Sequence, residues 1–319
     1  MRTIMMVGFY LTLSGLTISN AAFANLPGPR ASLIEAIEAD KLRSTNEYRI
    51  GDEWGKKEVT RQDMAKIPAL DRAAHATARV GGATGFVLGK FGNEWVLATN
   101  YHVCPEAWDC EGSRVTFTLG NIRVYIKKFL RSYTAIDLAL LTLDIQPGSE
   151  EEAYLQKYAK NFAFTEGFSA GEELVTVGYG SAGNPMQSLV GNWDYDCKIF
   201  SQSGDMRFMN DPDAFNPGSY TVWSIATGCD VSHGDSGSAM VNRQTGAVKG
   251  IIWTGKFPKI ENIQSSAYLD ELLKTNTEEV WTELNYMVPA QQILSILKDS
   301  VQKDGLEQDV RAVIELIIQ

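Results

Sequence analysis

Histidine is scarce in this 319-residue chain, which carries it only at positions 75, 102 and 233. Neither those residues nor the four cysteines fall at metal-ligand spacing, so a zinc mechanism is disfavoured and no metal or cofactor is expected. Internal repeats and low-complexity tracts are missing, and beyond the N-terminus no apolar run is long enough to span a bilayer. Basic residues are outnumbered, 29 Lys and Arg against 39 Asp and Glu, for a net charge of −10. An acidic surface of this kind disfavours nucleic acid and anionic membranes as partners. The length admits one large or two small domains and says nothing of oligomeric state.

The long apolar stretch that is present opens the chain. Met1-Arg2 is a short basic start, Ile4 to Ile18 is largely apolar, and Ala22-Phe23-Ala24 is a small-x-small cleavage pattern. Residues 1–24 therefore read as a signal peptide, with a secreted or periplasmic destination and no membrane attachment after removal. In an oxidising compartment four cysteines suggest two disulfides. Of the three possible pairings, sequence proximity favours Cys104–Cys110, and the placing of Cys197 and Cys229 ahead of the Gly234–Ser238 loop favours Cys197–Cys229.

Residues 25–66 have a different character. Leu33, Ile34, Ile37 and Leu42 recur at helical spacing, and Arg43, Arg49, Lys56, Lys57, Arg61 and Lys66 follow. A segment with so many basic cleavage points reads as a pro-segment or a retained N-terminal extension. From Thr77 onward short apolar or alternating runs dominate, separated by Gly and Asn turns. Six fall before residue 144 and a second set between Leu174 and Val288. This pattern predicts an all-β protein of two units, 67–165 and 166–288. Helical patterns lie at Glu151–Ala159 and across 289–319, where Ala290, Ile293, Ile296 and Leu297 share a face.

Three blocks carry chemistry. Ala98-Thr99-Asn100-Tyr101-His102-Val103-Cys104 places a histidine after a strand-like run. Ala135-Ile136-Asp137-Leu138-Ala139-Leu140-Leu141 places an aspartate before one. Gly234-Asp235-Ser236-Gly237-Ser238 holds a small serine between glycines. A serine hydroxyl needs a neighbouring base, histidine is the side chain best matched to that task, and a buried carboxylate fixes the base's tautomer. The order His, Asp, Ser, and Ser238 where a second Gly would complete Gly-x-Ser-x-Gly, set the chain apart from α/β-hydrolases.

Over roughly residues 75–300 these blocks resemble the chymotrypsin-like serine peptidases, in particular the bacterial glutamyl-endopeptidase branch. The resemblance implies two six-stranded antiparallel β-barrels with a C-terminal α-helix and an active site in the crevice between them. It implies catalysis by His102, Asp137 and Ser236, an oxyanion hole from the N–H groups of Gly234 and Ser236, and protein or peptide substrates. Asp230 lies six residues before Ser236, where trypsin-like peptidases keep the carboxylate that binds Arg or Lys, so Asp230, Trp253, Thr254 and Gly255 become the candidate substrate pocket. Glutamyl specificity is less expected, because Gly250-Ile251-Ile252-Trp253 has Ile252 where that branch carries a pocket histidine.

In trypsin-like enzymes a liberated N-terminal ammonium pairs with the aspartate before the nucleophile, here Asp235. Arg79-Val80-Gly81-Gly82 imitates that terminus but lies too near His102 and reads as a turn, and a cut after Lys66 would expose Ile67 beside Pro68. Asp235 is otherwise expected to find a partner within the chain. The competing function is a catalytically silent, protease-like binding protein.

Overall fold

The computed structural model describes residues 29–160, 162–212, 220–256, 259, 261–303 and 305–319. The signal-peptide reading of 1–24 lies outside the described residues.

Residues 77–144 form a closed six-stranded antiparallel barrel in the order β2-β3-β4-β7-β6-β5. Its strands are β2 (Thr77–Val80), β3 (Ala83–Phe91), β4 (Glu94–Thr99), β5 (Arg114–Phe117), β6 (Ile122–Tyr133) and β7 (Leu138–Asp144); β1 (Lys57–Glu58) belongs elsewhere. Alternation explains the barrel: in β6 Ile122, Val124 and Ile126 are buried, while Arg123, Tyr125 and Lys127 between them are exposed. Apolar side chains at every second position need one covered face, which the barrel interior supplies, and closure also removes exposed strand edges.

The second half builds an eight-stranded sheet in the order β1-β9-β8-β12-β13-β14-β11-β10. It comprises β8 (Leu174–Gly178), β9 (Val190–Asn192), β10 (Arg207–Asn210), β11 (Thr221–Thr227), β12 (Ala239–Asn242), β13 (Val248–Gly255) and β14 (Asn285–Pro289). The fold is thus mostly β as expected. The second unit differs in detail, because it recruits β1 from the N-terminal segment, pairing Lys57 with Gly191.

Helix α1 (Pro29–Asp40) precedes a 3₁₀ turn at Thr45–Glu47, whose Ser44 and Glu47 form a reciprocal capping box. α2 (Arg61–Lys66) and α3 (Pro68–Ala76) lead into the barrel. The short α4 (Ala107–Cys110) follows His102, and α5 (Glu150–Tyr158) closes the first unit. α6 (Ser266–Thr275) and α7 (Val280–Glu283) interrupt the second. The C-terminal helices α8 (Ala290–Gln302) and α9 (Gln308–Ile317) bury Ile293, Leu297, Val310 and Ile314 in the same core as the barrel. No helix among the described residues is long and apolar enough to cross a membrane.

Candidate active site

Strand register brings His102 and Asp137 together. β4 and β7 pair with Thr99 opposite Ala139, so the residues just beyond one strand meet those just before the other. Asp137 closes a 3₁₀ turn (Thr134–Ile136) with φ 39°, in the left-handed region that Asp tolerates better than most residues. Its Oδ2 lies 2.8 Å from His102 Nδ1, and its Oδ1 accepts the His102 backbone N–H at 3.0 Å. Asn100 Nδ2 donates to the Asp137 carbonyl at 2.8 Å, a supporting contact the sequence reading missed although Asn100 sits in the same block. Burial pulls the His102 imidazole pKa down, but the charge and hydrogen bond of Asp137 outweigh it, and the net shift is upward.

Ser236 lies on the turn between β11 and β12. The first barrel holds that turn directly. Thr84 N–H donates to Ser236 O at 3.0 Å, and the Thr84 hydroxyl donates to Gly234 O at 2.7 Å. Gly234 adopts φ 97°, and a Cβ there would stand 2.6 Å from Tyr179 O, so the position requires glycine. The N–H groups of Gly234 and Ser236 donate to no acceptor among the described residues and remain available to an incoming oxygen.

His102 and Ser236 line one cavity of about 50 Å³ together with Trp253, Thr254 and Gly255. No hydrogen bond joins the Ser236 hydroxyl to His102 among the described residues. Such contacts are often loose before substrate binds. Two further lining residues, Asp211 and Lys256, were not among the sequence candidates; Asp211 Oδ1 accepts the Thr254 hydroxyl at 2.5 Å, and Lys256 pairs with Glu283 at 2.8 Å. Among the remaining histidines, His75 stacks on Tyr158 with centroids 3.9 Å apart, outside the cavity lining.

Asp230 does not reach this cavity and is corrected as a pocket residue. Its carboxylate is fully buried and accepts the backbone N–H groups of Ile50 and Gly55, each at 2.7 Å. Burial, reinforced by the charge of Asp194, pushes its pKa well above the usual range. Asp230 therefore anchors the N-terminal segment and leaves no open anion for a substrate cation.

That segment reaches the Ser236 turn as well. Lys56 Nζ forms a buried ion pair with Asp235, whose other oxygen accepts Gly180 N–H at 3.0 Å. A Cβ at Gly180 would overlap both partners, so glycine makes room for the pair. Upstream, α1 lies over the cavity: Leu33 and Ala36 line it, as does Tyr48. Asp40, fully buried, accepts the His233 backbone N–H at 2.9 Å and the Ser181 hydroxyl at 3.0 Å and is bonded to the Tyr48 hydroxyl. Of the apolar residues expected on this helix, Leu33 and Ile37 are buried, whereas Ile34 and Leu42 are exposed.

The cysteines pair as Cys104–Cys110 and Cys197–Cys229. The first bridge closes the loop after His102. The second links the 197 segment to the strand end that leads into the Ser236 turn.

A closed β-barrel bonded to a second β-sheet, with a His–Asp pair from one and a serine turn from the other, defines the chymotrypsin-like class. The trypsin-like peptidase domain matches residues 83–251, more than half of the chain, and the chain belongs to that family. Among solved structures, an inactive-form mutant of Rv3671c from Mycobacterium tuberculosis H37Rv is similar at 16% identity, with a TM-score of 0.48, covering 78% of this chain and 98% of that one. The active form of the Rv3671c protease is similar at 17% identity and TM-score 0.46, covering 77% and 87%. No curated protein matches the sequence.

Proposed function

We propose that this protein is a secreted serine endopeptidase working through an acyl-enzyme on Ser236. Ser236 Oγ attacks the peptide carbonyl while His102 takes its proton. Asp137 holds the imidazole and stabilises its charged form, and the N–H groups of Gly234 and Ser236 receive the oxyanion. His102 then protonates the departing amine, and water hydrolyses the ester by the same route in reverse. The observation that carries this reading is the doubly bonded His102–Asp137 pair, facing the cavity that Ser236 also lines. A finer placement beside the bacterial glutamyl endopeptidases rests on the Gly-x-Ser-Gly-Ser turn alone.

The structure as described is the latent form in this reading. A cavity of about 50 Å³ has room for a few waters and none for an extended peptide. We propose that α1 is removed by a cut in the stretch Lys41–Arg43, where Leu42 stands exposed, while residues 48–66 stay in the working enzyme because they satisfy Asp230 and Asp235.

A fluorophosphonate probe tests the chemistry. Covalent labelling of Ser236, mapped by peptide mass spectrometry and abolished in Ser236→Ala and His102→Ala, is expected of the secreted protein. A processed, correctly folded protein that neither reacts with the probe nor cleaves a peptide library is a silent binding protein instead.

A further inference from the structure

Outside the site just described, a groove of about 530 Å³ on the first barrel gathers charge of one sign. Arg79, Arg114 and Arg123 line it with Gly81, Ser113, Thr116, Thr118, Tyr179 and Gln187, and no carboxylate does. The arginines share a face because of strand register: Arg79 pairs with Thr116, and Thr116 with Arg123, across β2, β5 and β6. Arg114 lies two residues from Thr116 and so points the same way. Arg114 and Arg123 are exposed and make no ion pair among the described residues, and Arg79 donates to Gln187 Oε1 at 2.6 Å. Glu150 and Glu151 lie with Arg123 around a separate depression and form no ion pair with it. Three guanidinium groups in one groove repel one another, and the chain as a whole carries −10. An arrangement of this kind is stable and useful when an anion joins it.

The groove also lies beside the active site, since Val103, which follows His102 in the chain, walls the depression between them. Leu33 lines both the catalytic cavity and a neighbouring depression walled by Val80, Gly81, Gly82, Val103 and Cys110. That depression shares Gly81 and Ser113 with the arginine groove. Gln187 ties the far end back to the oxyanion turn. Its Nε2 donates to Gly82 O at 3.3 Å and stands 3.3 Å from where a Cβ on Gly234 would be. The pocket of Trp253, Thr254 and Gly255 lies on the second sheet, so a peptide whose acyl side occupies it runs from Ser236 across the first barrel on its leaving side.

We propose that the Arg79–Arg114–Arg123 groove binds carboxylates on the leaving side of the peptide substrate, a few residues beyond the cleaved bond, and selects for acidic side chains there. The assignment rests on the peptidase reading, but its test need not involve turnover. Labelled hexapeptides are titrated by fluorescence anisotropy into the full chain carrying Ser236→Ala: an amidated hexaglutamate, an amidated Ser-Gly hexamer, and the same Ser-Gly hexamer with a free C-terminal carboxylate. Hexaglutamate is expected to bind about tenfold more tightly than the amidated Ser-Gly peptide. The preference should shrink between about 0.05 and 0.5 M salt and vanish in Arg114→Gln/Arg123→Gln, whose exposed positions leave the fold unstrained. Binding of the free-carboxylate peptide as tight as that of hexaglutamate assigns the groove to chain ends rather than acidic side chains. Equal affinity for all three peptides, or a preference that survives the double variant, overturns the proposal. Probe labelling of Ser236 in the otherwise unaltered chain and in the double variant is expected to be identical, which separates failure of the groove from failure of the peptidase reading.

Discussion

Lys56 and Asp235, 179 residues apart in sequence, form an ion pair in which each side chain is 3% exposed. Asp235 immediately precedes Ser236, so a cation from the N-terminal segment stands where trypsin-like enzymes place a newly cut terminus. Lys56→Met is expected to leave a buried carboxylate without its partner and to destabilise the protein by about 3–5 kcal/mol. The nucleophile turn should loosen, and fluorophosphonate labelling of Ser236 should slow by at least about tenfold at temperatures where the fold persists. Lys56→Met/Asp235→Asn, which removes the orphaned charge, should recover part of the stability in urea titration. Unchanged stability and labelling in Lys56→Met would show that the pair does not organise the turn.

Latency can be read on the same probe. Asp40 ties α1 to the His233 N–H and to the buried Ser181 and Tyr48. Asp40→Ala removes these acceptors, so the full chain should react faster with the probe than the unaltered full chain does. Limited proteolysis around Lys41–Arg43 should raise labelling of the unaltered chain and have little further effect on the variant. Equal labelling before and after the cut would mean that α1 does not block the cleft.

The pH profile follows from His102. Its folded pKa lies above the usual value of about 6.5, because Asp137 outweighs the lowering by burial. The base must be neutral to act, so kcat/KM should rise with pH along a limb whose midpoint lies above that value. Asp137→Asn removes the charge and leaves burial dominant. The midpoint should move down, and the rate should fall by about 10⁴. For stability the sign is opposite: protonated His102 favours the folded state below about pH 6.5, and that contribution is lost as pH rises through the raised pKa. A profile midpoint below the usual histidine value would contradict the pairing.

Asp230 offers a clean separation of pocket from scaffold. Asp230→Ala leaves the N–H groups of Ile50 and Gly55 buried without acceptors, at about 1–3 kcal/mol each. Chemical denaturation should therefore show a loss of about 2–6 kcal/mol. Cleavage of a positional peptide library should fall for all residues before the cut alike. A selective loss of cleavage after Arg or Lys would restore Asp230 to the substrate pocket.

Much of the first barrel was legible because its signals are local. Thr77–Val80, Trp95–Thr99 and Leu138–Leu143 alternate or run apolar between turn residues, and each is a strand or lies within one. The second half was less so. Gln187–Val190 has a strand-like pattern along the chain, but β9 spans Val190–Asn192, since Gln187 takes φ 47° and closes a turn. Cys197–Ser201, also strand-like in pattern, makes only isolated bridges, Lys198 to Glu173 and Ile199 to Thr227.

The candidate site divides in the same way. The identities of His102, Asp137 and Ser236 stand in the sequence because each sits in a short block whose neighbours announce a strand end or a tight turn. What those blocks could not specify is the partner of any buried charge, because burial is decided by which distant segments pack together. Asp230 and Asp235 look alike as acids shortly before Ser236; register and packing bring Ile50 and Gly55 to one and Lys56 to the other. The arginine row is likewise invisible along the chain, since Arg79, Arg114 and Arg123 become neighbours only when β2, β5 and β6 hydrogen-bond side by side.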